Sequence, residues 1–335
     1  MKNMKNMSLC ALCAGWVLSY AAPTLAHHGV ASLGAAGLEG PGAPIESSSS
    51  ATLPKGSVLG YLKLDYAAFK TYTPASNDDE GDHSAFWMAG LGYGLRSYLS
   101  AYVFAPYNAK SLENDRYDAS GVADLSLMGV LGFKHDADGF QLVPAQESLD
   151  DLEDWHFTVY GGLTLPTGDA NRRNADGDID PGMALGFGKP AYSLGLTATK
   201  QINARSTLTF DTSYLHFQEY GYDDGNRTQF GQEWRVNTAF NWRLWEKGDR
   251  KLRLDGILEA NYLQLGRDRS NGLGELATGG DILYAVPGLR LYYDQLSLGL
   301  GVKVPVWTGL NEEALQQGAE GKERYRLILT FSALF

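Results

Sequence analysis

Cysteine is nearly missing from this 335-residue chain: its two copies, Cys10 and Cys13, both lie before position 26. Neither has the Leu three residues earlier and the small residue just before it that mark a lipid-modified cysteine. The remainder can form no disulfide and no cysteine metal site. Past the first 26 residues there is also no run of roughly 20 apolar residues, so no helix in the mature chain is expected to span a bilayer. A basic excess is lacking too. Lys and Arg number 28 against 39 Asp and Glu, for a net charge of −11. Such a balance argues against general nucleic-acid binding, which needs a basic face. Finally, no linker or shift in composition follows Pro54. Length alone suggests two domains, but residues 56–335 read as one.

What is present begins with a short export signal. Lys2 and Lys5 precede an apolar run from Met7 to Tyr20, and Thr24-Leu25-Ala26 reads as a cleavage site. This order of charge, short apolar core and small residues is that of a secretory signal peptide over residues 1–26. Residues 27–55 form an N-terminal extension rich in Gly, Ala and Ser. Its composition favours a flexible periplasmic tail, with a plug entering the lumen of whatever follows as the alternative.

From Gly56 onward one pattern repeats. Apolar and polar residues alternate, then a turn or polar loop intervenes. Alternation with period two marks a strand with two unlike faces. Twelve such segments are read, at about 56–70, 84–95, 98–110, 121–134, 155–167, 188–200, 205–217, 230–244, 250–265, 279–292, 294–307 and 322–335. In the last, Tyr325, Leu327, Leu329, Phe331, Ala333 and Phe335 share a face, and Arg324, Arg326, Thr330 and Ser332 share the other. In the eighth, Trp234, Val236, Phe240 and Trp242 oppose Glu233, Arg235, Asn237 and Arg243. In the ninth, Leu252, Leu254 and Leu258 oppose Arg253, Asp255 and Glu259. In the first, Leu62 and Leu64 oppose Lys63 and Asp65.

A soluble sandwich alternates as well, with its polar face in water. Three features favour the inverted arrangement. Export is signalled. An even strand count lets a barrel close with both ends in the periplasm. Mid-strand charges avoid the apolar parity, where Arg or Lys at mid-bilayer would cost about 2–4 kcal/mol. Closure further satisfies every backbone donor and acceptor, as lipid demands. The fold expected is therefore all-β, a closed antiparallel transmembrane β-barrel of about twelve strands with N- and C-termini periplasmic, in the outer membrane of a Gram-negative bacterium. Connections alternate short and long, the barrel habit. The exception is the long acidic stretch 135–154, which the count puts on the short-turn side.

The run Thr164-Leu165-Pro166-Thr167-Gly168-Asp169, followed by Leu185-Gly186-Phe187-Gly188, resembles a signature of an outer-membrane transporter family catalogued under meta-pathway phenol degradation. The resemblance implies a β-barrel from about Gly56 to the end and, loosely, uptake of aromatic compounds. The terminal strand ending at Phe335 likewise resembles the assembly signal of outer-membrane barrels. It implies the barrel-assembly machinery as a partner, beside outer-membrane lipid and lipopolysaccharide.

Candidate lumen residues follow from parity: Lys63 and Asp65, Asp211, Glu233 and Arg235, then Arg243, Arg253, Asp255 and Glu259, then Arg324 and Arg326. Asp124, His156, Arg290 and Lys303 share that parity. Rings of charge can choose the solute, or pair with one another and fill the space. The function expected is passive passage of small molecules, aromatic or hydrophobic compounds among them, without cofactor or catalysis.

Three alternatives remain. A barrel for divalent metal ions would use His27 and His28 beside the new α-amine for Zn²⁺ or Cu²⁺. It could also use Asp176, Asp178 and Asp180 with Asn174, which alternate like half of a Ca²⁺ loop but lack its closing Glu. A structural barrel would conduct nothing. A lipid-acting enzyme would need Ser, His and a third polar group converging at the rim. His83 and Ser84 are adjacent, which sends them to opposite faces, although Asp82 stands beside His83.

Overall fold

The computed structural model describes residues 42–70, 81–112, 118–145, 153–174, 177–248, 251–313, 315–316 and 322–335. The signal segment, His27, His28 and Asp176 lie outside these. Among the described residues no helix is long and apolar enough to cross a membrane, and the architecture is made by strands.

Twelve of them form a closed antiparallel barrel: β1 (Val58–Phe69), β2 (Gly81–Arg96), β3 (Leu99–Leu112), β4 in two pieces (Asp118–Val122 and Ser126–Asp136), β5 (Trp155–Thr164), β6 (Ala191–Asn203), β7 (Ser206–His216), β8 (Glu233–Lys247), β9 (Leu252–Leu265), β10 (Gly280–Tyr293), β11 (Leu296–Leu310) and β12 (Glu323–Leu334). Each pairs with its sequence neighbour, and β12 returns to β1 from Leu59↔Leu334 to Phe69↔Glu323. Closure leaves no free edge along the seam, the one arrangement by which strands satisfy their own backbone in lipid.

The two ends of the barrel differ. At one rim the turns are tight, with Arg96↔Leu99, Asn203↔Ser206, Lys247↔Leu252 and Tyr293↔Leu296 as last pairs. The barrel's own ends meet there as well: the Val58 amide donates to the Phe335 carbonyl at 2.9 Å and the Phe335 amide to that of Val58 at 2.8 Å. At the other rim the connections are long. Two of them are zipped together by a small sheet of Tyr220–Gly221, Arg227–Gln229, Arg269–Ser270 and Leu273–Gly274. The described part of the stretch after β4, up to residue 145, sits on the tight-turn side. There Gly139–Leu142 folds back on β4 as a hairpin, with Phe133↔Leu142 and Asp136↔Gly139, and occupies the space below the start of β3.

Alternation places the faces as a lipid-facing barrel requires. Leu62, Leu91, Leu194, Val236, Leu258 and Leu300 are exposed. Lys63, Asp65, Glu233, Arg235, Asp255 and Glu259 are buried. In water, so continuous an apolar exterior would be an aggregation surface; in hydrocarbon it is matched to its solvent.

The interior is not uniformly polar. On β1 to β5 the inward residues Tyr61, Phe86, Met88, Tyr102, Phe104, Met128, Val130 and Tyr160 form one apolar cluster, joined by Leu53. The charged inward residues are concentrated elsewhere, on β7 to β12 with Lys63 and Asp65 of β1.

Candidate functional site

Residues 42–53 run inside the barrel, buried along their whole length. The tail favoured by composition is overturned for this part, which is internal because its backbone and Glu46 find buried partners on the wall; 27–41 lie outside the described residues. The segment touches both sides of the interior. At its far end Leu53 joins the apolar cluster, its amide donates to Ser100 Oγ at 2.9 Å, and Thr52 Oγ1 donates to the Ser97 carbonyl at 2.5 Å. The chain then leaves past Gly94, where a Cβ would come within 2.0 Å of the Pro54 carbonyl oxygen. Only glycine lets the segment pass there.

At the other end the segment and the charged wall hold each other reciprocally. The amides of Ile45, Glu46 and Ser47 donate to the wall carboxylate of Glu259 at 2.5, 3.0 and 3.0 Å, and Ser47 Oγ adds a fourth bond at 2.6 Å. In return the segment's carboxylate, Glu46, accepts from Lys63 Nζ at 3.0 Å and Lys303 Nζ at 3.2 Å. Arg290 donates to the Pro44 carbonyl at 2.6 Å, and the Gly42 amide reaches Asp255 at 3.3 Å. Ile45 packs with Ile257 and Ile328. Buried charges are tolerable when paired and hydrogen-bonded in this way. Beside Glu46 lies a cavity of about 10 Å³ bordered by Asp211, Arg235, Asn237, Tyr284 and Lys303. That is room for a single water molecule.

The residues expected in the lumen can now be placed; His156 is buried on β5. Lys63 lies 3.8 Å from Asp65, which Arg326 approaches at 3.5 Å. Glu233 pairs with Arg235. Asp211 accepts from Tyr160 Oη at 2.9 Å, Asn237 Nδ2 at 2.9 Å and Thr197 Oγ1 at 3.1 Å. Asp255 holds Arg253 at 2.6 Å, and the Arg253 guanidinium lies over the Tyr292 ring, 5.6 Å from its centroid. Arg243 is not deep in the lumen. It keeps its inward register opposite Asp255 but stands half-buried near the tight-turn rim, just before a bulge at Leu244, and meets Glu246 at 2.6 Å.

Arg324 is a correction. The register of β12 against β1 slips between Ala68 and Phe69, so Arg324 becomes the extra residue of a bulge and is exposed. Its Nε donates to the Phe69 carbonyl at 2.7 Å. The slip turns Glu323 inward instead, where it pairs with Arg326. Simple alternation cannot foresee this, because one extra residue reverses parity beyond it. Glu46 escaped sequence reasoning for a different reason, since no periodicity marks an irregular segment.

The motif around Leu165 to Gly188 has a structural explanation. β4 is interrupted at residues 123–125, and Asp124 uses the gap to accept from the Gly168 amide and the Phe187 amide, both at 2.7 Å. A Cβ on Gly186 would stand 2.4 Å from Asp124 Oδ1, which is why the second half of the motif needs glycine. Beyond the clasp, Met183 and Leu185 pack on Ala119 and Leu112, and Lys110 Nζ donates to the carbonyls of Gly182 and Ala184. Burial pushes the Asp180 carboxyl up to about 6.

The acidic run in this loop bonds to its own backbone. Asn174 Oδ1 accepts from the Asp178 amide and Asp180 Oδ1 from the Gly182 amide. Among the described residues no three His, Cys, Asp or Glu side chains gather as a metal site. Asp82 and His83 pair at 2.9 Å at the long-loop end, both partly exposed, while Ser84 is buried on the opposite face.

Comparison with known proteins agrees with this geometry. Residues 79–304 match the family described as "Putative MetA-pathway of phenol degradation", and the chain belongs to it. No curated protein matches the sequence. Among solved structures, an outer-membrane channel from Pseudomonas putida F1 is similar over 86% of this chain and 98% of its own, at 15% identity and a TM-score of 0.65. The NanC porin matches 81% of this chain and 98% of its own, at 8% identity and a TM-score of 0.43.

Proposed function

We propose that this protein is an outer-membrane channel of a Gram-negative bacterium for the passive passage of small molecules, closed in the present conformation by residues 42–53. The observation that carries the reading is the way this segment is held. Every bond between it and the wall is non-covalent, and two opposed carboxylates, Glu46 and Glu259, provide most of the grip at its charged end. With the segment docked, the space beside Glu46 admits one water. With it displaced, a lumen with one apolar and one charged side opens. The apolar side of Tyr61, Phe86, Met88, Tyr102 and Phe104 suits aromatic or hydrophobic compounds, in keeping with the family's description. No motor or nucleotide site is read in the sequence, so solute follows its gradient, and the barrel acts as a conduit and not as a catalyst.

The tight-turn rim, where β1 and β12 meet, is assigned to the periplasm, and the long loops to the cell surface beside lipopolysaccharide. Phe335, exposed at the end of β12, is assigned to recognition by the assembly machinery. Planar-bilayer recording tests the channel reading. Wild-type protein is expected to show brief, infrequent steps, and a variant carrying E46A and E259Q together long-lived ones. A silent membrane for both at every voltage would remove the proposal.

A further inference from the structure

The docked segment shows what the charged wall is built to bind. The side chains that meet the Glu46 carboxylate are both cations, Lys63 and Lys303, and Arg235 borders the same small cavity. The wall carboxylate of Glu259 faces the segment's backbone amides instead. Once the segment leaves, the two ammonium groups lose the acceptor they share, and a buried charge that loses its partner is costly, so the pair draws in another anion. The geometry selects the kind. Lys63 and Lys303 approach different oxygens of Glu46, at 3.0 and 3.2 Å, which matches a planar two-oxygen group better than a spherical ion. Next to the site the surroundings turn apolar. Tyr61 precedes Lys63 on the same inward face of β1 and belongs to the aromatic cluster, and Lys303 Nζ stands 4.5 Å from the centroid of the Tyr284 ring.

We infer that Lys63 and Lys303, supported by Arg235, form a carboxylate-binding site that Glu46 fills in the closed channel, and that the solute is a small organic monocarboxylate with an apolar body. This rests on the channel reading and deepens it. The solute's carboxylate replaces that of Glu46, so the same pair of lysines both latches the segment and receives the cargo.

The test uses the full chain in two arms. In the first, E46A leaves a methyl group where a carboxylate was, and sodium acetate is the probe. Acetate is expected to raise the thermal unfolding midpoint of E46A by roughly 2–4 °C over sodium chloride of equal ionic strength. It should leave wild type unmoved, and also a variant combining E46A with K63M and K303M. In the second arm, reversal potentials are read in planar bilayers under a sodium benzoate gradient. E46A is expected to shift toward anion preference relative to wild type, and K63M with K303M to shift away from it; heat-modifiable migration on gels checks that each barrel has folded. Equal midpoints for E46A in acetate and chloride overturn the site, as does a reversal potential that E46A leaves unchanged. If no variant conducts, the channel reading falls, while the acetate arm still judges the site.

Discussion

The two sides of the barrel interior have the same backbone and opposite chemistry. On β2 to β5 the inward residues include Phe86, Met88, Tyr102, Phe104, Met128, Val130 and Tyr160, which form a largely apolar core. On β8 to β12 the inward residues include Glu233, Arg235, Asp255, Glu259, Arg290, Lys303 and Arg326, all at most 7% exposed. Outside, the two sides are alike, with leucines and aromatics facing lipid all round. The exterior is thus dictated by the solvent, which is uniform. The interior is dictated by what fills it, and the filling differs: Leu53 lies against one side, and Ile45, Glu46 and Ser47 against the other. One segment of about a dozen residues serves two unlike walls because it presents Glu46 and Ser47 to the charged one and Leu53 to the apolar one.

This contrast can be broken at its charged side first. R326M removes the partner of both Glu323 and Asp65. The buried Glu323 carboxylate, stripped of its cation, should lower stability by about 3–5 kcal/mol, read from urea unfolding in detergent or lipid. A loss under 1 kcal/mol would mean that water reaches this side freely. The exterior comes next. L300R places a cation on the lipid face at mid-strand and is expected to cost about 2–4 kcal/mol by unfolding in vesicles, with no change in channel selectivity; a neutral effect would place Leu300 outside the hydrocarbon. On the apolar side, M88A opens a cavity and should cost about 2–3 kcal/mol, again by urea titration and without salt dependence. The smallest effect falls on the segment itself. E259Q keeps the shape of the acceptor for Ile45, Glu46 and Ser47 and removes its charge. It should weaken docking by about 1.4 kcal/mol, close to a tenfold longer open time in bilayer recordings. Unchanged open time would show that the charge of Glu259 plays no part in the latch.

Much of the barrel could be read directly from residue order. The twelve segments, their alternation and the short and long connections are local patterns, and each predicted segment overlaps the observed strand. Inward residues in regular strands, such as Lys63, Asp65, Glu233 and Arg235, were equally legible, because parity carries along a strand until something interrupts it. Legibility ended at the interruptions. The bulge at Arg324 exchanged it for Glu323. The apolar inward face of β2 to β5 was hidden for another reason. A strand such as β2, with Phe86 and Met88 inward and Trp87 outward, is apolar on both faces, so its period says nothing about which side meets lipid.

Residue order by itself determined that this chain makes strands with two faces, enough of them to close, and an exterior fit only for lipid. These follow from the two-residue repeat of the extended chain, which needs no distant contact. Only the folded molecule decided what occupies the centre. The grip of Glu46 by Lys63 and Lys303 joins residues 17 and 257 positions apart. No local rule relates positions so distant; closure of the barrel around the segment brings them within hydrogen-bonding reach.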